Sequence, residues 1–378
     1  MHVIHIVCTI FEGRTILIQL SETVGINIIG AVISYILGVF FVPLVISFSR
    51  KEGLVDLPNE RKIHKIPVSR LGGIAIWSST MLTFLFLVLL SCYPYGKLVS
   101  GLLLGGSLMF LLGLIDDIYN LNAKFKLLIQ ILIATMVYFL GVRFDSILNP
   151  LHPLSDVIHL SIWASYPLTI LWIVGISNAV NFIDGVDGLA GSVVTVNAIT
   201  LAIIALAVTP PNPISALIAF ILAGAMMAFL TYNFNPAKIF MGDSGALFSG
   251  FMLASISLTG IMKCATLAIL LPFIVLAVPI MDITYSSLRR IFKGKSPFVA
   301  DADHIHHKLL KAGLSQKLTV AIMTAVAIIA GAIATSFIGG LTIRHYVCYI
   351  LIVLVLMLVL SLYDVFTKNN GNNTEHKQ

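Results

Sequence analysis

Apolar residues run along this chain of 378 residues in long unbroken stretches, separated by short polar ones. Eleven stretches are of membrane-crossing length: 24–47, 72–92, 98–115, 125–141, 165–181, 189–208, 213–231, 245–262, 266–288, 318–338 and 346–366. A hydrocarbon core about 30 Å thick is crossed by a helix of roughly 20 apolar residues. The pattern therefore predicts an all-α, polytopic α-helical integral membrane protein with about 11 transmembrane helices. Residues 1–23 mix apolar stretches with Glu12 and Arg14. They lack the basic start and small-residue cleavage site of a secretory signal, so they read as an interfacial or packed extra segment. Residues 24–367 are predicted to form one transmembrane domain, and 368–378 read as a polar, disordered tail.

Composition narrows this further. Hydrophobic residues make up 58% and charged residues 11%, and the mean hydropathy of +1.00 excludes a soluble globular chain. Cys8, Cys92, Cys264 and Cys348 show no paired spacing, which argues against a disulfide framework or a cysteine zinc site. The net charge of +6 lies in short loops. It reads as the positive-inside bias rather than as a nucleic-acid surface. Of 23 Lys and Arg residues, only Arg14, Lys97, Arg143, Lys263 and Arg344 fall on one side of the predicted membrane. All the others share the opposite side, which is therefore cytoplasmic. Eleven spans then put the N-terminus outside and the C-terminus inside.

That orientation gathers the suggestive chemistry. A carboxylate in a membrane helix costs roughly 2.5–3.5 kcal/mol on insertion scales and so marks function. Asp116 and Asp117 end the third span, Asp184 and Asp187 lie in the turn after the fifth, and Asp243 precedes the eighth. All five fall on the cytoplasmic side, in or beside loops 48–71, 116–124, 181–188, 232–244 and 289–317. Neighbours such as Asp116 and Asp117 point about 100° apart on a helix; one can bind a metal or catalyse while the other holds a lysine. In Asn181-Phe-Ile-Asp184-Gly-Val-Asp187-Gly188, three oxygen-bearing side chains recur at every third position. Oxygen ligands suit Mg²⁺, which keeps waters and shares substrate phosphates.

Gly242-Asp243-Ser244-Gly245 at a helix start reads both as a phosphate or Mg²⁺ cradle and as a cap by Asp243. Loop 56–73 is basic and ends in Gly72-Gly73, a pair that permits close backbone approach or helix packing. Gly101 and Gly105 read as helix packing. Loop 289–317 holds His304, His306 and His307 among Arg289, Arg290, Lys293, Lys295 and Lys308. So cationic a loop suits an anionic diphosphate better than zinc. Asp282 in the ninth span has no assigned site role; helix pairing is its plain reading.

In this order and spacing the motifs resemble the polyprenyl-phosphate N-acetylhexosamine-1-phosphate transferases, glycosyltransferase family 4. The resemblance rests on Asp116-Asp117 with Ala123-Lys124-Phe125-Lys126, Asn181-x-x-Asp184-Gly185-x-Asp187-Gly188, Met241-Gly242-Asp243-Ser244-Gly245 and His304-Ile305-His306-His307. It covers about residues 30–320 and is nearest to the branch that moves GlcNAc-1-phosphate onto undecaprenyl phosphate. The resemblance implies a multi-pass enzyme of the bacterial inner membrane with a cytoplasmic active site. UDP-GlcNAc and undecaprenyl phosphate would be its substrates, membrane lipids its surroundings, and Mg²⁺ its cofactor, with Mn²⁺ as an alternative. A homodimer is an open assembly, and no nucleic-acid partner is expected.

By resemblance, Asp243 is the metal ligand with Asn181 near it. Asp187 and Phe240 contact the uracil, and His304, His306 and His307 grip the diphosphate. Lys126 pairs with the Asp116-Asp117 region, and Asp116, Asp117 and Asp184 serve catalysis. The expected chemistry is in-line attack of the lipid phosphate on the β-phosphorus of the donor, or a two-step route through a phosphorylated Asp. The rivals are a phospho-MurNAc-pentapeptide transferase and a secondary transporter, whose carboxylates would lie near the bilayer midplane.

Overall fold

Long apolar runs leave the backbone no water to bond to, so each satisfies its own N–H and C=O groups as a helix. The computed structural model describes residues 2–56, 67–90, 96–148, 157–208, 211–260, 273, 275–282, 284, 305–311 and 313–336. Within them run α1 (His2–Lys51), α2 (Gly72–Leu89), α3 (Lys97–Tyr119), α4 (Ala123–Phe139), α5 (Ile162–Ile183), α6 (Leu189–Ala207), α7 (Pro213–Asn233), α8 (Gly242–Gly260), α9 (Ile305–Lys311) and α10 (Gln316–Ser336).

Among the described residues, seven helices are long and apolar enough to cross a membrane: Val24–Lys51, α2, α3, α5, α6, α7 and α10. The chain is an all-α polytopic membrane protein. The expected runs 125–141 and 245–262 correspond to helices α4, which ends at Phe139, and α8, described to Gly260. The run 346–366 and the tail 368–378 lie outside the described residues, and 266–288 is described only at 273, 275–282 and 284. α1 continues without a break through position 23.

Helices α6, α7 and α8 make the centre. α7 packs on α1 and α6, while α8 packs on α3 and α5. Phe229, Phe248, Phe251 and Leu201 are fully buried there. Gly105 belongs to this packing: a Cβ on it would stand 2.4 Å from the Phe251 ring. The periphery is apolar too. Ile28, Val32, Ile36, Phe40, Leu44 and Phe48 form an exposed stripe along α1, the surface of a helix whose solvent is lipid.

Two short antiparallel ribbons sit at opposite ends of the bundle. β1 (Val55–Asp56) pairs with β2 (Val68–Ser69), with Val55 opposite Ser69. β3 (Ser146–Leu148) pairs with β4 (Val157–His159), with Ile147 opposite Ile158. The first ribbon lies at the end where α3, α5 and α7 finish and α2, α4, α6 and α8 begin. That end carries the polar chemistry.

Candidate active site

The site is assembled from helix ends, beginning with α3. The sequence pattern ends this span at 115, but the helix runs on through both carboxylates to Tyr119. Asn120 then turns left-handed at φ 51°, its N–H donating to the Asp116 carbonyl at 2.8 Å. The Leu121 N–H donates to Asp116 Oδ1 at 2.7 Å, and Asn122 caps α4 by accepting from the Lys124 N–H at 2.9 Å. The reversal takes three residues, and it brings Lys126 back beside the carboxylates. Lys126 Nζ donates to Asp116 Oδ2 at 2.7 Å and to Asp243 Oδ2 at 2.5 Å.

Asp117 turns the other way, as adjacent helical positions must. Its Oδ1 accepts from the Asp243 N–H at 2.8 Å. Its Oδ2 accepts from the Ser244 N–H at 3.0 Å and the Ser244 hydroxyl at 2.6 Å. The two N–H groups are orphan donors of the first turn of α8. A cap from Asp243 itself is one sequence reading; the cap instead comes from α3, which leaves the Asp243 carboxylate for Lys126 and Asn181.

Close backbone contact makes this possible. A Cβ on Gly113 of α3 would lie 2.5 Å from the Asp243 carbonyl carbon, and one on Gly73 of α2 would lie 2.3 Å from the Gly245 nitrogen. The segment before α8 is strapped to the first ribbon. The Phe240 N–H donates to the Ser69 carbonyl at 2.7 Å, the Gly72 N–H to the Phe240 carbonyl at 3.0 Å, and the Gly73 N–H to the Met241 carbonyl at 2.9 Å. Phe240, the expected base-stacking residue, is thus fixed by its backbone while its side chain is partly exposed.

The α5–α6 turn closes the site. Asn181 Nδ2 donates to Asp243 Oδ2 at 3.2 Å. Asp184 ends α5, and Gly188 at φ 82° admits the chain into α6. Asp187 Oδ2 accepts from Asn235 Nδ2 at 3.0 Å and from the Ala237 N–H at 3.2 Å. Asn235 Nδ2 also bonds Gln316 Oε1 at the start of α10. Buried Asn233 ties the same turns together: Oδ1 accepts from the Gly188 N–H at 2.9 Å, and Nδ2 donates to the Ile239 carbonyl at 2.7 Å. His306 on α9 is buried, and its imidazole packs on Gly185, where a Cβ would stand 2.5 Å from Nε2. His304 lies outside the described residues, as does the side chain of His307.

The site is rich in negative charge. Loss of water, then the carboxylates of Asp243, Asp117 and Asp187, push Asp184 up to about 8. Burial and the Asp116 carboxyl push Asp243 up to about 6, against the pull of Lys126. Among the described residues no three Asp, Glu, His or Cys side chains converge on one metal position; the Lys126 ammonium bridges Asp116 and Asp243 instead.

Two polar residues behind the site escape the sequence reading. Asn178 Nδ2 donates to Gln130 Oε1 at 2.6 Å, and Gln130 Nε2 donates back to Asn178 Oδ1 at 3.4 Å. The pair sets α4 against α5 one turn below Lys126 and Asn181. Their signal was spacing: Gln130 follows Lys126 by four and Asn178 precedes Asn181 by three.

This helical membrane chain, with its clustered carboxylates, half-buried lysine and glycine-cradled helix start, falls by sequence comparison in a class of membrane transferases. The sequence model described as glycosyl transferase family 4 matches residues 99–261, which carry all five carboxylates. The "probable undecaprenyl-phosphate N-acetylglucosaminyl 1-phosphate transferase" of Bacillus subtilis is 35% identical, over 81% of this chain and 83% of its own. A "decaprenyl-phosphate N-acetylglucosaminephosphotransferase" of Mycobacterium leprae is 33% identical over 82% of each chain. The Escherichia coli "undecaprenyl-phosphate alpha-N-acetylglucosaminyl 1-phosphate transferase" is 27% identical over 80% of each. The chain belongs to glycosyl transferase family 4.

Proposed function

We propose that this protein transfers GlcNAc-1-phosphate from UDP-GlcNAc to undecaprenyl phosphate, giving undecaprenyl-diphosphate-GlcNAc and UMP. The observation that carries this is similarity over four fifths of the chain to relatives named for that transfer. The site supports it. Five carboxylates gather at one end of the bundle, where a lipid phosphate anchored in the membrane meets a donor arriving from water. By the positive-inside count that end is cytoplasmic, in a bacterial inner membrane.

Both reactants are anions, and the site adds negative charge of its own. The residues fit Mg²⁺: their ligand atoms are oxygens, and burial, then neighbouring carboxyl groups, raises Asp184 and Asp243, a penalty on the ionised forms that a divalent cation would relieve. The described residues offer one or two carboxylates, which suits an ion that keeps several of its waters. Asp243 with Asn181 would hold it, and it would supply charge stabilisation at the transferring phosphoryl group. Asp117 is committed to α8, so the acceptor-side role falls to Asp116, which receives a proton from the lipid phosphate. A lipid phosphate oxygen then attacks the β-phosphorus in line, the P–O bond to the α-phosphate breaks, and UMP leaves. Lys126 holds Asp116 and Asp243 in register, and proximity supplies much of the rate.

Purified protein with UDP-GlcNAc, undecaprenyl phosphate and Mg²⁺ should yield UMP and a lipid product heavier by one GlcNAc-phosphate, read by mass spectrometry. UMP without the lipid product, or neither with any UDP-N-acetylhexosamine, contradicts the reading. Labelled sugar-phosphate bound to protein in the absence of lipid would replace direct attack with the two-step route.

A further inference from the structure

Asp282 is a buried carboxylate outside the carboxylate cluster. Sequence pattern places it in the ninth span with helix pairing as its plain reading. The structure gives it a different neighbour. Asp282 Oδ1 accepts a hydrogen bond from the Ile305 N–H at 2.7 Å, across 23 positions of the chain. Ile305 is the first residue of α9, so its N–H is one of the donors a helix leaves unpaired at its start. The next residue is His306, buried and packed on Gly185 of the α5–α6 turn. That contact is tight, because any side chain at 185 would enter the imidazole. A one-turn shift of α9 would carry His306 out of it.

We infer that Asp282 is a positioning residue, capping α9 from the ninth span and thereby seating His306 against Gly185 beside the carboxylates. Three features carry this. The bond is short and joins residues 23 positions apart in the chain. The residue bonded is adjacent to the histidine that reaches the site. Helix α9 has seven residues, too few to hold itself in register by its own hydrogen bonds. What a cap requires is an oxygen acceptor. Asparagine serves a cap as well as aspartate, so Asn should replace Asp282 where Leu, of similar size, should not. The catalytic consequence rests on the proposed transfer reaction; the structural one does not.

The test uses full-length protein in detergent, as wild type, Asp282→Asn and Asp282→Leu. Hydrogen–deuterium exchange is read over 305–311, with Leu189–Ala207 and Pro213–Asn233 as internal references. Transfer from UDP-GlcNAc is read beside it. In Asp282→Leu, exchange over 305–311 should quicken on the order of tenfold. The references should stay unchanged, and kcat/KM should fall on the order of tenfold. Asp282→Asn should match wild type within about twofold in both. Unchanged exchange over 305–311 in Asp282→Leu overturns the inference. Equal loosening of the reference helices overturns it as well, since Asp282 would then serve global stability. Asp282→Asn failing like Asp282→Leu assigns the role to charge and overturns the cap. If wild type transfers nothing, the proposed reaction falls while the exchange measurement still decides the cap.

Discussion

Asp243 is the residue on which the site turns: Lys126 and Asn181 both donate to its Oδ2. Asp243→Asn should lose at least about two orders of magnitude in kcat, roughly 2.7 kcal/mol of barrier, measured as UMP release. A rate near wild type would remove Asp243 from the metal role. Asp184 gives a second expectation. Folded, it holds its proton up to about pH 8, while an unfolded Asp releases it at about pH 4. Between those values the folded state binds more protons. This group's contribution to stability is therefore full below about pH 4 and is lost as pH rises to about pH 8. The thermal midpoint of divalent-free protein should fall over that range, with a shallower slope in Asp184→Asn. Equal slopes in both proteins would contradict it. The carboxylates stood out in sequence because charge is rare in apolar runs. The division of labour between Asp116 and Asp117 did not, because Asp117 finds its partners 126 and 127 positions away.

At the scale of elements, apolar length placed the described ends of α2 to α8 and α10 to within a few residues, whereas α1 begins at His2 rather than at 24. The exceptions were informative. α3 outran its apolar segment to Tyr119 because Lys126 and the start of α8 satisfy Asp116 and Asp117, which lets polar residues stay helical. The Gln130–Asn178 pair escaped because its helical spacing from Lys126 and Asn181 tells only once those two are known to meet. The approach of α3 to α8 depends on Gly113. Gly113→Ala drives a Cβ into backbone rather than a flexible side chain, so it should cost on the order of 1–3 kcal/mol and lower activity with it. Thermal unfolding in detergent reads the first and UMP release the second. A wild-type midpoint would mean that α8 can retreat without cost.

For the whole molecule, the site's position decides between an enzyme and a transporter. The carboxylates meet at one end of the helices, whereas a secondary transporter gathers its binding groups near the midplane. The loop-charge count predicts that this end is cytoplasmic, which labelling can check in a background without the four native cysteines. Lys124 lies at the site end and Trp163 at the other, both exposed. A membrane-impermeant maleimide should label W163C in intact cells and K124C only after permeabilisation. The reverse result would invert the orientation and put the donor on the wrong side of the membrane.

The central claim is that this one end of the bundle transfers a sugar phosphate between a nucleotide and a lipid. It is tested most directly by following UMP release from UDP-GlcNAc by purified wild-type protein, with and without undecaprenyl phosphate and Mg²⁺, beside Asp243→Asn. Release should require both additions and be lost in the variant. Release independent of the lipid, or equal in the two proteins, would contradict it.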